Sequence, residues 1–227
     1  MTKTLIELLK QNKSHAQSFE NEQFESVQDG QSPESVTVCC SDSRVLQDEM
    51  IENRTPGHVF TCSNIGNRVF EETADGLAVS GDVSYPLVHT GTENVVVIGH
   101  TGCGAVTATY KDIVDGIAEP AGIRHCIDLL KLRLTDGVEA LPDDIEESEA
   151  INRLVEYNVD KQIEFLLDSA IVSDEMNVLG VVYDFQDVYS DERGMLHVVN
   201  VNGMRDPERI AEDWPELAAQ MNRRWTY

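Results

Sequence analysis

Lysine is scarce in this chain. Only 6 of its 17 basic residues are lysine, and those 17 stand against 41 aspartates and glutamates, a formal net charge of −24 over 227 residues. A field of that sign repels nucleic acid and anionic membranes, which argues against both as partners. Two readings of the surface remain: an acidic mesophilic protein, or a halophilic one whose self-repulsion concentrated salt would screen. The halophilic reading is the expectation. Long apolar runs are missing as well, and nothing approaches the roughly 18 residues of a membrane span. The N-terminal MTKTLIELLKQNKSHAQSF has neither an extended apolar region nor a small-residue cleavage site. It reads as an amphipathic helix burying Leu5, Ile6, Leu8 and Leu9, not as a signal peptide. Cysteine does not pair off: Cys39, Cys40, Cys62, Cys103 and Cys126 are odd in number. Without an export signal, a disulfide framework is not expected, and a cytoplasmic location is. Metal binding or catalysis is then open to some of the thiols.

What is present suits a globular protein. Hydrophobic residues make up 41% and aromatics 6%, and the length is enough for one domain with a substantial core. SVTVCC, HVFTCSN and ENVVVIG read as buried strands, with MNVLGVVYDF as a fourth and MLHVVNVNG as an edge beside it. Helical pattern is read in VLQDEMIENR, in GAVTATYKDIVDG up to about Gly116, and from Ile123 to Leu134. A longer helix is read from Glu149 to Ala170, where Ile151, Leu154, Val155, Val159, Ile163 and Leu166 recur at helical spacing. TADGLAVSGDVSYPLVHTG reads as a helix kinked at Gly81 and Pro86, and DGVEALPDDIEESEA as an acidic surface loop. Near-continuous apolar strands alternating with helices imply an α/β fold, with a mainly parallel central sheet of four or five strands flanked by helices. No repeat or linker divides the sequence, so residues 1–227 read as a single α/β domain with a helical N-terminal arm over 1–30.

In such a sheet, functional groups collect at the carboxyl ends of the strands. The first strand delivers Cys40-Ser41-Asp42-Ser43-Arg44 there, and the third delivers His100-Thr101-Gly102-Cys103-Gly104. Two thiolates and an imidazole suit zinc, with a fourth position left for water or a carboxylate. Gly102 and Gly104 permit a tight turn and leave room beside an ion. Taken singly, each residue has a plainer reading. A buried cysteine is most often inert packing, a histidine after a strand is most often structural, and Asp42 between serines suits a turn. Their joint placement at equivalent strand ends favours a metal site. The glycines of IGHTGCGA run G-x-x-G-x-G, not the G-x-G-x-x-G of a dinucleotide site, which leaves a nucleotide reading weak.

CCSDSRV followed by VVIGHTGCGAV resembles the β-class carbonic anhydrases, whose signature is C-x-D-x-R and then H-x-x-C. PGHVFTCSNIGNRV resembles the family's segment after its first helix, and NVLGVVYDF its late core strand. The resemblance implies a zinc hydro-lyase, a carbonate dehydratase that converts carbon dioxide reversibly to bicarbonate and a proton. It implies one Zn2+ per chain, held by Cys40, His100 and Cys103. Zinc lowers the pKa of bound water from 15.7 towards about 7, which makes hydroxide available as a nucleophile near neutral pH. Asp42 would orient that hydroxide by accepting its proton, or would itself bind zinc and close the site. Arg44 would hold Asp42 away through a bidentate pair. Gly104 and Asn64 are expected to border the substrate.

Cys39 points to the other face of its strand and is read as packing, like Cys62 and Cys126. His15, His58, His89, His125 and His197 carry no motif that marks a proton shuttle. Ser63 stands where the family has an arginine, which puts that arginine's bicarbonate regulation in doubt. QDVYSDERG is longer and more acidic than the family's turn and is read as a surface elaboration without catalytic role. The resemblance also implies a homodimer or homotetramer in which the N-terminal helix reaches over its partner. Two alternatives stay open: a carbon disulfide or carbonyl sulfide hydrolase with the same zinc set, and a non-catalytic zinc-binding module.

Overall fold

The structure, a computed structural model, describes residues 3–20 and 22–227. The expected helical arm includes positions 1, 2 and 21, which lie outside the described residues. Helix α1 (Lys3–Ser18) and the single turn α2 (Glu22–Glu25) precede β1 (Ser35–Cys40), α3 (Gln47–Met50) and β2 (Val59–Asn64). A hairpin of β3 (Phe70–Thr73) and β4 (Gly76–Val79) leads to α4 (Gly81–His89) and β5 (Asn94–His100). Helices α5 (Gly104–Val114), α6 (Ala121–Glu139) and α7 (Glu147–Leu167) come before β6 (Asn177–Asp184) and β7 (Met195–Val201). Helix α8 (Pro207–Asp213) and a 3-10 turn (Pro215–Gln220) follow.

Five strands form one sheet in the order β2-β1-β5-β6-β7. β1 runs parallel to β2 and β5, β5 parallel to β6, and only β7 is antiparallel. The valine-rich runs are buried on both faces, which is why they carry no polar alternation. Val36, Val38, Cys40, Val95, Val97, Val178 and Val182 pack under the helices α4 to α7. Cys39, Ile98, Val181 and Val198 pack on the other face with Ile210 of α8. Helix α7 lies directly on two glycines. A Cβ at Gly99 would stand 2.8 Å from Val159, and one at Gly180 would stand 2.6 Å from Ile163. Beyond the 3-10 turn the chain crosses back over α7. There Arg223 pairs with Asp160 at 2.6 Å, both buried, and the buried Glu156 accepts the N–H groups of Arg224 and Trp225.

Several expected elements are corrected. The kinked helix is instead β4 followed by α4. Gly76, at φ +109°, lets the chain reverse into the β3–β4 hairpin. Pro86 does sit inside α4; the carbonyl of Asp82, which a proline cannot engage, accepts the Cys62 thiol at 3.2 Å. VLQDEMIENR makes only the one turn of α3, since Glu52 takes φ +51°. The helix read from Ile123 runs on to Glu139 and absorbs the start of the expected loop. Gly137 allows this by leaving room for the Tyr157 ring. Helix α1 forms, but none of its residues is buried, and Leu5, Ile6, Leu8 and Leu9 are exposed. No helix among the described residues is long and apolar enough to cross a membrane.

Candidate metal centre

β1 and β5 end side by side, with Cys39 opposite Ile98. Cys40 continues the Val36–Val38 row of one face, and His100 continues the Ile98 row of the other. The side chains therefore converge beyond the strand ends and not on either face. Cys40, His100 and Cys103 are all buried, and their ligand atoms lie within 4.8 Å of one another. The two sulfurs are 3.9 Å apart. His100 Nδ1–H donates to the Thr101 carbonyl at 3.0 Å, which leaves the Nε2 lone pair facing the thiols. Nε2 is buried and has no hydrogen-bond partner among the described residues. Buried imidazole nitrogens are seldom left unpaired, and a ring fixed through its other nitrogen is the usual state of a metal ligand. The donor set fits a thiophilic ion such as zinc.

Backbone N–H groups face both sulfurs: that of Gly66 faces Cys40, and those of Ala105 and Val106 face Cys103. Cys40 is held well below the ordinary thiol range, first because the Cys103 thiol donates to it, with the Gly66 N–H adding to the effect. Cys103, as that donor and as a buried group, is raised. Cys39, on the far face, is pushed up to about 12 by burial. Gly66 reaches its position at φ +82°, and a Cβ there would stand 2.6 Å from Leu130. Two buried asparagines of α7 brace the turns. Asn158 donates to the Gly66 carbonyl at 3.2 Å, and Asn152 accepts the Gly102 N–H at 3.0 Å.

Asp42 and Arg44 form the bidentate pair: Nε–Oδ1 is 2.9 Å and Nη2–Oδ2 is 2.7 Å. That pairing holds the Asp42 carboxyl well below its usual range. Arg44 Nη2 also donates to the Gly102 carbonyl at 3.2 Å. Asp42 Oδ2 stands 3.8 Å from His100 Nε2, so a carboxylate borders the point the three donors face.

The other expected residues lie as follows. Gly104 opens α5 beside Cys103 with open space at its Cβ position. The Asn64 side chain is engaged by its own loop, donating to the Arg68 carbonyl and accepting the Arg68 N–H. Gln47 donates to Ser63 Oγ and to the Cys62 carbonyl. His15, His58, His89 and His125 are exposed, and His197 is buried. The first part of the acidic elaboration packs on the site: Gln186 lies against Gly102. Asn152, Asn158 and Phe185 were not singled out by sequence reasoning. For the asparagines the available signal was a polar residue within the buried stretch of α7.

The sequence pattern of the carbonic anhydrase family matches residues 35–189. A carbonic anhydrase of Emericella nidulans is 32% identical over 181 residues, covering 79% of this chain and 75% of that one. A tetrameric β-carbonic anhydrase of Sordaria macrospora aligns with a TM-score of 0.73 at 24% identity, over 88% of this chain and 98% of that one. The β-carbonic anhydrase CafA of Aspergillus fumigatus aligns with a TM-score of 0.72 at 25% identity, over 94% of this chain and 98% of that one. The matched stretch runs from the first residue of β1 into the loop after β6 and takes in every residue of the converging set. On sequence and fold together, the chain belongs to the carbonic anhydrase family and to its β class.

Proposed function

We propose that this enzyme hydrates carbon dioxide reversibly to bicarbonate and a proton, using one zinc ion per chain held by Cys40, His100 and Cys103. The observation that carries the reading is the buried, partnerless Nε2 of His100 facing two sulfurs. Zinc bound there would supply a hydroxide nucleophile near neutral pH. Asp42 is the group that orients the nucleophile, as a carboxylate that accepts its proton. Its lowered pKa keeps it ionised wherever the enzyme works. Arg44 holds both carboxylate oxygens and so keeps Asp42 in the accepting position. Gly104 leaves room for a small linear substrate beside Cys103, and Asn64 shapes the loop that follows β2.

Metal analysis of protein purified without chelators, joined to a stopped-flow pH-indicator assay, tests this reading. One zinc per chain with steady turnover is expected. Cys40→Ser should lose the metal, and Cys39→Ser should keep it. Zinc-free active protein would sink the reading. Sulfide release from carbonyl sulfide without hydration would favour the hydrolase alternative, and zinc without any turnover would favour the non-catalytic module.

Several coarser properties belong to the same proposal. The enzyme is a homo-oligomer, a dimer or tetramer, in which α1 covers a second copy. The exposed leucines of α1 support this, as does the tetrameric state of the Sordaria relative. Lys3, Lys10 and Lys13 lie on α1 with Glu7 as its one acidic residue, so the helix carries a small positive charge against an acidic body. Five free thiols suit the reducing cytoplasm. The charge of −24 suits a concentrated-salt interior. The whole of 1–227 is one domain with an arm.

A further inference from the structure

We infer that Phe185 is a positioning residue for the Asp42–Arg44 pair, whose ring holds the Arg44 guanidinium in place and so keeps Asp42 off the metal position. The inference rests on the zinc reading above. Arg44 Cζ lies 4.8 Å from the centroid of the Phe185 ring. The same ring stacks on His100, with centroids 5.9 Å apart and planes 24° from parallel. One aromatic ring therefore touches both the latch on Asp42 and a candidate ligand of the ion.

The latch needs such a wall. The Arg44 side chain is about half exposed, at 49%. Among the described residues, its side-chain hydrogen bonds go to Asp42 and to the Gly102 carbonyl. Asp42 Oδ2 is only 3.8 Å from His100 Nε2, so a carboxylate freed from Arg44 has a short path to the point where the donors converge. A cation over an aromatic face is attracted by the ring quadrupole, and the attraction grows as water is excluded. Phe185 is itself held firmly. Its N–H donates to Thr101 Oγ1 at 3.3 Å. The loop behind it hangs on the buried Asp184 carboxylate, which accepts the N–H groups of Gln186, Val188 and Tyr189. The ring thus offers Arg44 a fixed surface and not a mobile one.

The test uses the full chain with cobalt(II) in place of zinc, titrated with azide and followed by visible absorption. Azide reaches the ion only in molecules whose Asp42 is away from it, so its apparent Kd rises as that fraction falls. Phe185→Leu keeps the bulk and removes the quadrupole, and should raise the azide Kd about threefold or more. Replacement of Phe185 by trifluorophenylalanine keeps the shape and drains the ring face, and should move the Kd in the same direction. Phe185→Trp should stay within about twofold of the parent. An unchanged Kd with the fluorinated ring would overturn the proposal even if the leucine variant folds poorly. Loss of cobalt binding in Phe185→Leu with normal azide affinity in the fluorinated protein would overturn it too, making the ring a support for His100. Failure of the parent protein to bind cobalt would instead refute the metal reading itself.

Discussion

Replacing Gly66 by alanine should damage both the fold and the metal site through one added methyl group. At φ +82° a residue with a Cβ is in the left-handed region, at a cost of about 1–2 kcal/mol. The methyl would stand 2.6 Å from Leu130 Cδ1 and 3.0 Å from Cδ2. Leu130 is fully buried and has nowhere to retreat, so overpacking adds about 1–3 kcal/mol. Together these give about 2–5 kcal/mol, which for a chain of this length lowers the unfolding temperature on the order of 4–20 °C. The Gly66 N–H also faces Cys40, and weakening a hydrogen bond to a thiolate by about 1.5 kcal/mol costs about tenfold in zinc affinity. The assay is thermal unfolding of zinc-loaded and stripped protein, with zinc affinity from chelator competition. Leu130→Ala serves as the second arm of a double-mutant cycle. Alone it should cost about 2–5 kcal/mol, but with Gly66→Ala it removes the clash, so the pair should fall short of additivity by about 1–3 kcal/mol. Strict additivity, or a Gly66→Ala protein as stable as the parent, would refute the packing argument.

Two further outcomes are expected. With zinc stripped, iodoacetamide at pH 7 should modify Cys40 and spare Cys39. A lowered pKa leaves Cys40 a thiolate at every pH above it, whereas Cys39, at about 12, stays a thiol; equal labelling seen by peptide mass spectrometry would contradict this. Raising potassium chloride from 0.1 to 2 M should raise the unfolding temperature. The Debye length falls from about 10 Å to below about 3 Å, and a net charge of −24 repels itself less; a flat or falling response would show that self-repulsion does not limit this fold.

Strand alternation made much of this legible. Cys39 and Cys40 could be assigned to opposite faces from sequence because a strand has a fixed period, and they do fall into separate cores. The parallel sense of the sheet, and the edge place of β7 beside β6, followed from valine runs separated by helical lengths, whereas the strand order came only with the structure. The β3–β4 hairpin was missed because one glycine, Gly76, decides between reversal and helix. The cover of α1 was not legible for a different reason: on the single chain its leucines are exposed. Its apolar stripe is real, but what covers a stripe is not written within it. Asn158 meets Gly66 across a separation of 92 residues, and the Arg44 guanidinium lies over the Phe185 ring only because the fold brings two distant strand ends together. A phenylalanine at a strand end reads as core until its neighbour is known.

The pairing of β1 with β5 has a consequence for how the enzyme matures. Cys40 and Cys103 are separated by 63 residues while His100 lies three residues before Cys103, so an ion held by all three would close a long loop, and Cys40 would join only when the two strands meet. On the zinc reading, loading would be a late event that clasps finished topology. The doubled cysteine adds a twist. Should β1 slip by one residue, its faces would exchange and Cys39 would enter the slot of Cys40, with Ser41 in the slot of Asp42. Such a chain would still capture metal and would lack the carboxylate beside it. Bound metal would therefore report that the two strands have met, and only turnover would report that they met in register.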